Sequence, residues 1–150
     1  MNEIKFYSVR GNYGEFSSFY GGASFVLKGK KWSTREHYFQ AQKFPGTRYE
    51  SEIRQAKGPM EAATQGRDKS KPLRKDWESV KFSIMKEAIL AQCLQNKDFA
   101  KLLIDTGEAV LIEHTEKDAI WGDGGNGKGK NLLGKALMEI RDLLNNLENK

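Results

Sequence analysis

Between Trp32 and Phe44 the chain reads WSTREHYFQAQKF, its densest run of residues able to do chemistry. Glu36, Gln40 and Lys43 stand at i, i+4 and i+7, so a helix through them carries all three on one stripe. A carboxylate, an amide and an amine on one helix face can line a pocket. The same residues have a plainer reading. Ser33 and Glu36 fit a capping box for a helix starting at Ser33 or Thr34. Lys43 suits a helix C-terminus, where positive charge is favoured.

Three further places carry able residues. Arg67 to Lys75, RDKSKPLRK, holds five basic residues and one acid. It reads either as a solvated loop or as a rim that attracts phosphate. Trp77 follows it, as a core anchor or as a stacking plate for a base. Asp118 to Asn131, DAIWGDGGNGKGKN, contains five glycines and delivers the chain into a helix N-terminus. Such a place offers backbone N–H groups and a positive dipole end to an anion. It is neither a Walker loop nor a dinucleotide fingerprint, because no GK[ST] stands at the right spacing and no βαβ unit surrounds it.

The elements that must hold these residues can be read from pattern. IKFY at 4–7 reads as a strand, and the stretch from Ser8 to Tyr20, with Gly11 and Gly14, as a loop. Residues 23–28, Gly29 and 30–32 give a strand and turn leading into the Ser33 helix, which Pro45-Gly46 ends. Helices are expected at 48–57 and 60–65, closed by Gly58-Pro59 and Gly66. A long one runs from Asp76, as N-cap, to about Asn96, with Val80, Ile84, Ala88 and Ala91 at helical spacing. Asp98 is expected to cap another, to Ile104. Asp105-Thr106-Gly107 reads as a turn and 109–113, AVLIE, as a strand. The final helix shows Leu133, Leu137, Ile140 and Leu144 on its apolar face.

With 150 residues the natural expectation is one domain, 1–150, large enough for a proper core. No apolar run approaches membrane-spanning length and the first residues lack a signal-peptide core, so a cytoplasmic protein is expected. Cys93 is the only cysteine, so no internal disulfide can form, and its helical setting reads as core. One cysteine with His37 and His114 does not match a metal-ligand spacing. No metal or redox cofactor is called for. The net charge of +5 suits an anionic partner, a phosphorylated metabolite or nucleic acid.

Together the motifs resemble the NADAR superfamily and, within it, the YbiA-like proteins. The resemblance is carried by FYS at 6–8 with GEFSSF at 14–19, WSTREHYFQAQKF at 32–44 and LRKDWESVKFSIM at 73–85. It continues through LLIDTG at 102–107, IEHTEKDAIWGDG at 112–124 and GKGKNLLGKALMEIRDLL at 127–144. One departure is Ser18, where the family commonly has Asn. The resemblance implies a mainly helical α+β fold with a small β-sheet. It also implies an N-glycosidase. YbiA-like members cleave ribosylamino-pyrimidine 5′-phosphate intermediates of riboflavin biosynthesis, releasing ribose 5-phosphate and an aminopyrimidine. Other members remove ADP-ribose from guanine bases of nucleic acid.

That chemistry assigns roles. Glu36 is the carboxylate for an oxocarbenium-like transition state, or the proton shuttle if a neutral Lys43 displaces the amine and forms a Schiff base. Asp118 is a second acid or a holder of the ribose hydroxyls. Trp77 and Trp121 are plates for the base; Gly122, Asp123 and Asn131 shape the sugar or phosphate end; Arg10 and Arg67 are phosphate partners. The expected partner is a phosphorylated small-molecule N-riboside, with ADP-ribosyl-guanine DNA as the alternative substrate. A non-catalytic binder of ADP-ribose-like nucleotides is the rival from another class. Its mark would be loss of the acid and the amine, and both are present. Oligomeric state is not legible.

Overall fold

The computed structural model describes residues 2–148. In chain order the elements are β1 (Glu3–Phe6), β2 (Phe25–Leu27), β3 (Lys30–Trp32), α1 (Arg35–Ala41), α2 (Arg48–Arg54), α3 (Pro59–Gly66), α4 (Trp77–Gln95), α5 (Lys97–Asp105), β4 (Val110–Glu113) and α6 (Leu132–Glu148). The fold is the expected α+β, mainly helical. Its sheet content is two separate pairs, β1 with β4 and β2 with β3. The chain forms two compact units, one of residues up to Ser17 with those from Asn96, the other Ser18–Gln95.

In the first unit β1 and β4 run parallel, from Glu3 opposite Val110 to Phe6 opposite Glu113. Leu111 points to the buried face, where α6 packs on β4. Leu133, Leu137, Ile140 and Leu144 of α6 are all buried, as their helical spacing requires. The aromatics of the loop before Ser17 divide: Phe16 is fully buried, meeting Phe6 and Phe99 edge-on, whereas Tyr13 is exposed. Arg141 donates from Nη1 to the Ala109 carbonyl at 2.8 Å and to Thr106 Oγ1 at 2.9 Å, tying α6 to the turn before β4.

In the second unit β2 and β3 form a hairpin turned by Lys28 (φ 56°) and Gly29 (φ 74°). Positive φ at both central residues matches the twist of the strands. The hairpin leads into α1, which is buried along its whole length and packs against α2, α3 and α4. Pro59 opens α3 and Gly66 closes it. Cys93 is buried in α4, and burial pushes its thiol up to about 12, as suits an inert core residue.

Two cap expectations are corrected. Thr34, not Ser33, caps α1: its backbone is extended and its hydroxyl accepts from the His37 N–H at 3.2 Å. Glu36 therefore stands one place too early to close a capping box. Asn96, not Asp98, precedes α5, and Asp98 lies in its first turn. Asp76 directly precedes α4 as expected, its carbonyl accepting from the Val80 N–H at 3.1 Å, and its carboxylate is held by the Arg74 guanidinium at 2.6 and 3.1 Å.

Candidate active site

A buried helix with polar residues on every side must pair them internally. Arg35 is fully buried and donates to Gln92 Oε1 at 2.8 Å and Ser18 Oγ at 3.1 Å. Ser18, the departure noted in the sequence, is thus an acceptor for Arg35. His37 Nδ1 meets Thr34 Oγ1 at 2.7 Å and Nε2 meets the Ala56 carbonyl at 3.0 Å. A carbonyl only accepts, so the ring proton is on Nε2 and both nitrogens are used in structure. Tyr38 donates to Glu87.

Glu36 and Gln40 are what remain of the polar set on α1. Glu36 is 6 % exposed, and its Oε2 accepts from Gln40 Nε2 at 2.8 Å. Burial raises its pKa above the ordinary glutamate value; the Gln40 bond and the charges of Arg67, Lys43 and Arg35 oppose the rise without cancelling it. Lys43 lies just past α1 in a tight turn, its N–H bonded to the Gln40 carbonyl at 3.2 Å, so it stays near the stripe. Its Nζ donates to the Gly66 carbonyl at 3.2 Å and stands 5.7 Å from the Trp77 ring centroid. Burial lowers its pKa, with Arg67 and Lys81 adding to the fall and Glu36 opposing it. Both groups are therefore driven toward their neutral forms.

Two more of the expected residues join them. Arg67 is exposed at the end of α3, close enough for its charge to act on both Glu36 and Lys43. Trp77 is 6 % exposed, edge-on to Phe39 at 5.0 Å, and forms a wall behind the amine. The arrangement can hold an acid, an amine nucleophile and an anion site together. Gly66, which accepts from Lys43, was not singled out from sequence beyond closing a helix; a partner 23 residues away leaves no local trace.

The remaining expected residues lie in the first unit. Arg10 is exposed, with its N–H on Ser8 Oγ at 3.2 Å. The Gly-rich loop closes on itself. Asp118 Oδ1 accepts from the N–H groups of Ile120 at 2.8 Å and Trp121 at 2.9 Å. Gly122 is packed so tightly that a Cβ would fall 2.8 Å from the Asp118 carbonyl and 2.9 Å from that of Glu113. Asp123 is buried and accepts from His114 Nδ1 at 2.7 Å, Thr115 N at 3.1 Å and Gly125 N at 2.8 Å. Burial works against its charge, but these bonds, His114's first, bring its pKa below the usual value. Asn131, at φ 53°, accepts from Glu113 N at 3.0 Å and donates to the Leu111 carbonyl at 2.9 Å, lying along β4 like a strand. Asp123 and Asn131 also line an open cavity of about 400 Å³ with Lys5 and His114. One expectation changes here. The N–H groups of Leu132 and Leu133, at the start of α6, go to the carbonyls of Ile120 and Trp121 at 3.1 Å, so they are not open to an anion.

Residues 5–145 match the NADAR domain. The chain belongs to the NADAR family. N-glycosidase YbiA of Escherichia coli is 54 % identical over 143 residues, covering 94 % of this chain and 88 % of that protein. A riboflavin biosynthesis protein of Vibrio vulnificus is 38 % identical over 141 residues, covering 94 % of this chain and 38 % of that longer protein. The NMR structure of the E. coli protein YbiA superposes with a TM-score of 0.92 at 51 % identity, over 99 % of this chain and 88 % of that one. The fold of this NADAR chain is therefore YbiA-like, in line with the motifs read from its sequence.

Proposed function

We propose that this NADAR protein, acting as a single domain over 1–150 in the cytoplasm, hydrolyses the N-glycosidic bond of ribosylamino-pyrimidine 5′-phosphates. The products are ribose 5-phosphate and an aminopyrimidine. The coarser statement is plain: the protein is an enzyme, a hydrolase acting on N-glycosyl bonds, like its relative named N-glycosidase. The choice of substrate is supported by the relative named for riboflavin biosynthesis.

One observation carries the mechanism: burial drives the Glu36 carboxyl and the Lys43 amine toward their neutral forms on one side of α1. A neutral carboxyl is a poor electrostatic partner for an oxocarbenium ion and a good proton donor. A neutral amine is a nucleophile. The ribosylamine opens when its exocyclic N–H proton passes to the ring oxygen, leaving an imine at C1′. Lys43 adds to C1′. One proton passes from its nitrogen and a second from the Glu36 carboxyl to the pyrimidine nitrogen, and the bond from C1′ to that nitrogen breaks with its electron pair leaving on the amine, so that Glu36 is left ionised. A Schiff base between Lys43 and the sugar remains. Water adds to C1′ with Glu36 taking its proton, and ribose 5-phosphate leaves as Lys43 is regenerated. Arg67 provides the cation for the phosphate, and Trp77 keeps water from the amine.

A release assay tests this. The purified protein is offered the ribosylaminopyrimidine 5′-phosphate and ADP-ribosylated guanine DNA in parallel, with Glu36→Gln and Lys43→Ala as controls. Turnover of the metabolite alone, lost in both variants, is expected. Turnover of the DNA alone would move the protein to the nucleic-acid branch. Binding without turnover of either would make it a nucleotide-binding module.

A further inference from the structure

Gln40 has an unmet requirement. It is 3 % exposed, its Nε2 donates to Glu36, and its Oε1 is buried without a hydrogen-bond partner among the described residues. A buried amide oxygen ordinarily finds a donor. The orientation of this amide is thus fixed by what its nitrogen does for Glu36, not by the needs of its oxygen.

Gly66 supplies the second observation. A Cβ there would fall 2.6 Å from Gln40 Cβ and 2.7 Å from Cδ, and closer still to Oε1. Gly66 does not adopt a positive φ, so the backbone itself does not demand glycine. The side chain pressed against it does. The carbonyl of the same residue receives Lys43.

We infer that Gln40 is a positioning residue for Glu36, clamped by Gly66, and that this clamp governs how tightly Glu36 holds its proton. An N–H donated to a carboxylate favours its charged form. Burial pulls the other way, and the clamp keeps the proton releasable from a site that would otherwise retain it. The catalytic consequence rests on the acid role proposed for Glu36; the clamp itself does not.

The test uses the full chain carrying ¹³C-labelled glutamate, with the Glu36 carboxyl resonance identified by its loss in Glu36→Gln and titrated without substrate. In Gln40→Met, which keeps the length of the side chain but cannot donate, the midpoint is expected to rise by about one pH unit, the scale of one charge-assisted hydrogen bond. Gly66→Ala, which displaces the amide without touching Glu36, is expected to move it the same way and to add nothing in the Gln40→Met background. The alkaline limb of the turnover profile is expected to follow. An unmoved midpoint in folded Gln40→Met, or in Gly66→Ala should the first variant not fold, would overturn the clamp. A midpoint that moves while the turnover profile stays would uphold the clamp and remove Glu36 as the acid.

Discussion

Lys43 donates from Nζ to the carbonyl oxygen of Gly66 at 3.2 Å. The bond fixes a long, flexible side chain where α3 ends, within electrostatic reach of the Glu36 carboxyl on α1. Lys43→Met is predicted to lower turnover by about 10³-fold or more, since the proposed route has no other nucleophile. Lys43→Arg is predicted not to rescue it, because a guanidinium stays protonated. Thermal unfolding measured alongside is predicted to show Lys43→Met at least as stable as the parent near neutral pH. The sign follows from a folded pKa below the unfolded one: the amine's contribution to stability is whole above its ordinary value and is lost as pH falls from there.

Glu36→Gln is predicted to lower turnover by roughly 10²–10⁴-fold, the usual range for a general acid. Glu36 holds its proton more tightly folded than unfolded, so its contribution to stability is whole below the unfolded value and is lost as pH rises through the folded one. The amide cannot ionise and still accepts from Gln40. The melting temperature of the variant, relative to the parent, is therefore predicted to be higher at about pH 8 than at about pH 4. A constant difference across that range would place Glu36 in an ordinary solvated setting.

In the first unit the prediction concerns stability. Asn131→Ala loses two hydrogen bonds to β4 and puts a Cβ residue at φ 53° without a polar side chain. A loss of about 2–3 kcal/mol is expected, seen as a melting temperature lower by roughly 5–10 °C. Asn131→Gly, which relieves the backbone but not the bonds, is expected to recover only part. Gly134→Ala is expected to destabilise as well, because its Cβ would fall on the Leu111 carbonyl.

Much of this was legible because it is periodic or punctuated. Leu133, Leu137, Ile140 and Leu144 declare α6 by spacing, and Gly58-Pro59 and Gly66 punctuate the chain where α2 gives way to α3 and where α3 ends. The i, i+4, i+7 stripe brought Glu36 and Gln40 together, and Lys43 stays beside it although the helix ends before it. Adjacent Ser33 and Thr34 are equally able caps, so sequence had no means of choosing between them. The loop from Asp118 to Asn131 was visible as glycine-rich, but not as closed. The N–H groups of Ile120, Trp121, Gly125, Gly129, Lys130 and Asn131 are taken by Asp118, Asp123 and carbonyls that return only when the chain folds back. The orphaned oxygen of Gln40 is likewise a fact of three dimensions, set by Gly66 at the far end of another helix.

Reductive trapping reads the Schiff base at Lys43 itself. The protein is mixed with ribosylaminopyrimidine 5′-phosphate and borohydride, digested and analysed by mass spectrometry. A ring-opened ribose 5-phosphate joined through a secondary amine to the peptide bearing Lys43 is predicted. That adduct should be absent without substrate and absent in Lys43→Met. Substrate turnover by the parent protein with no adduct on Lys43 would contradict the covalent route.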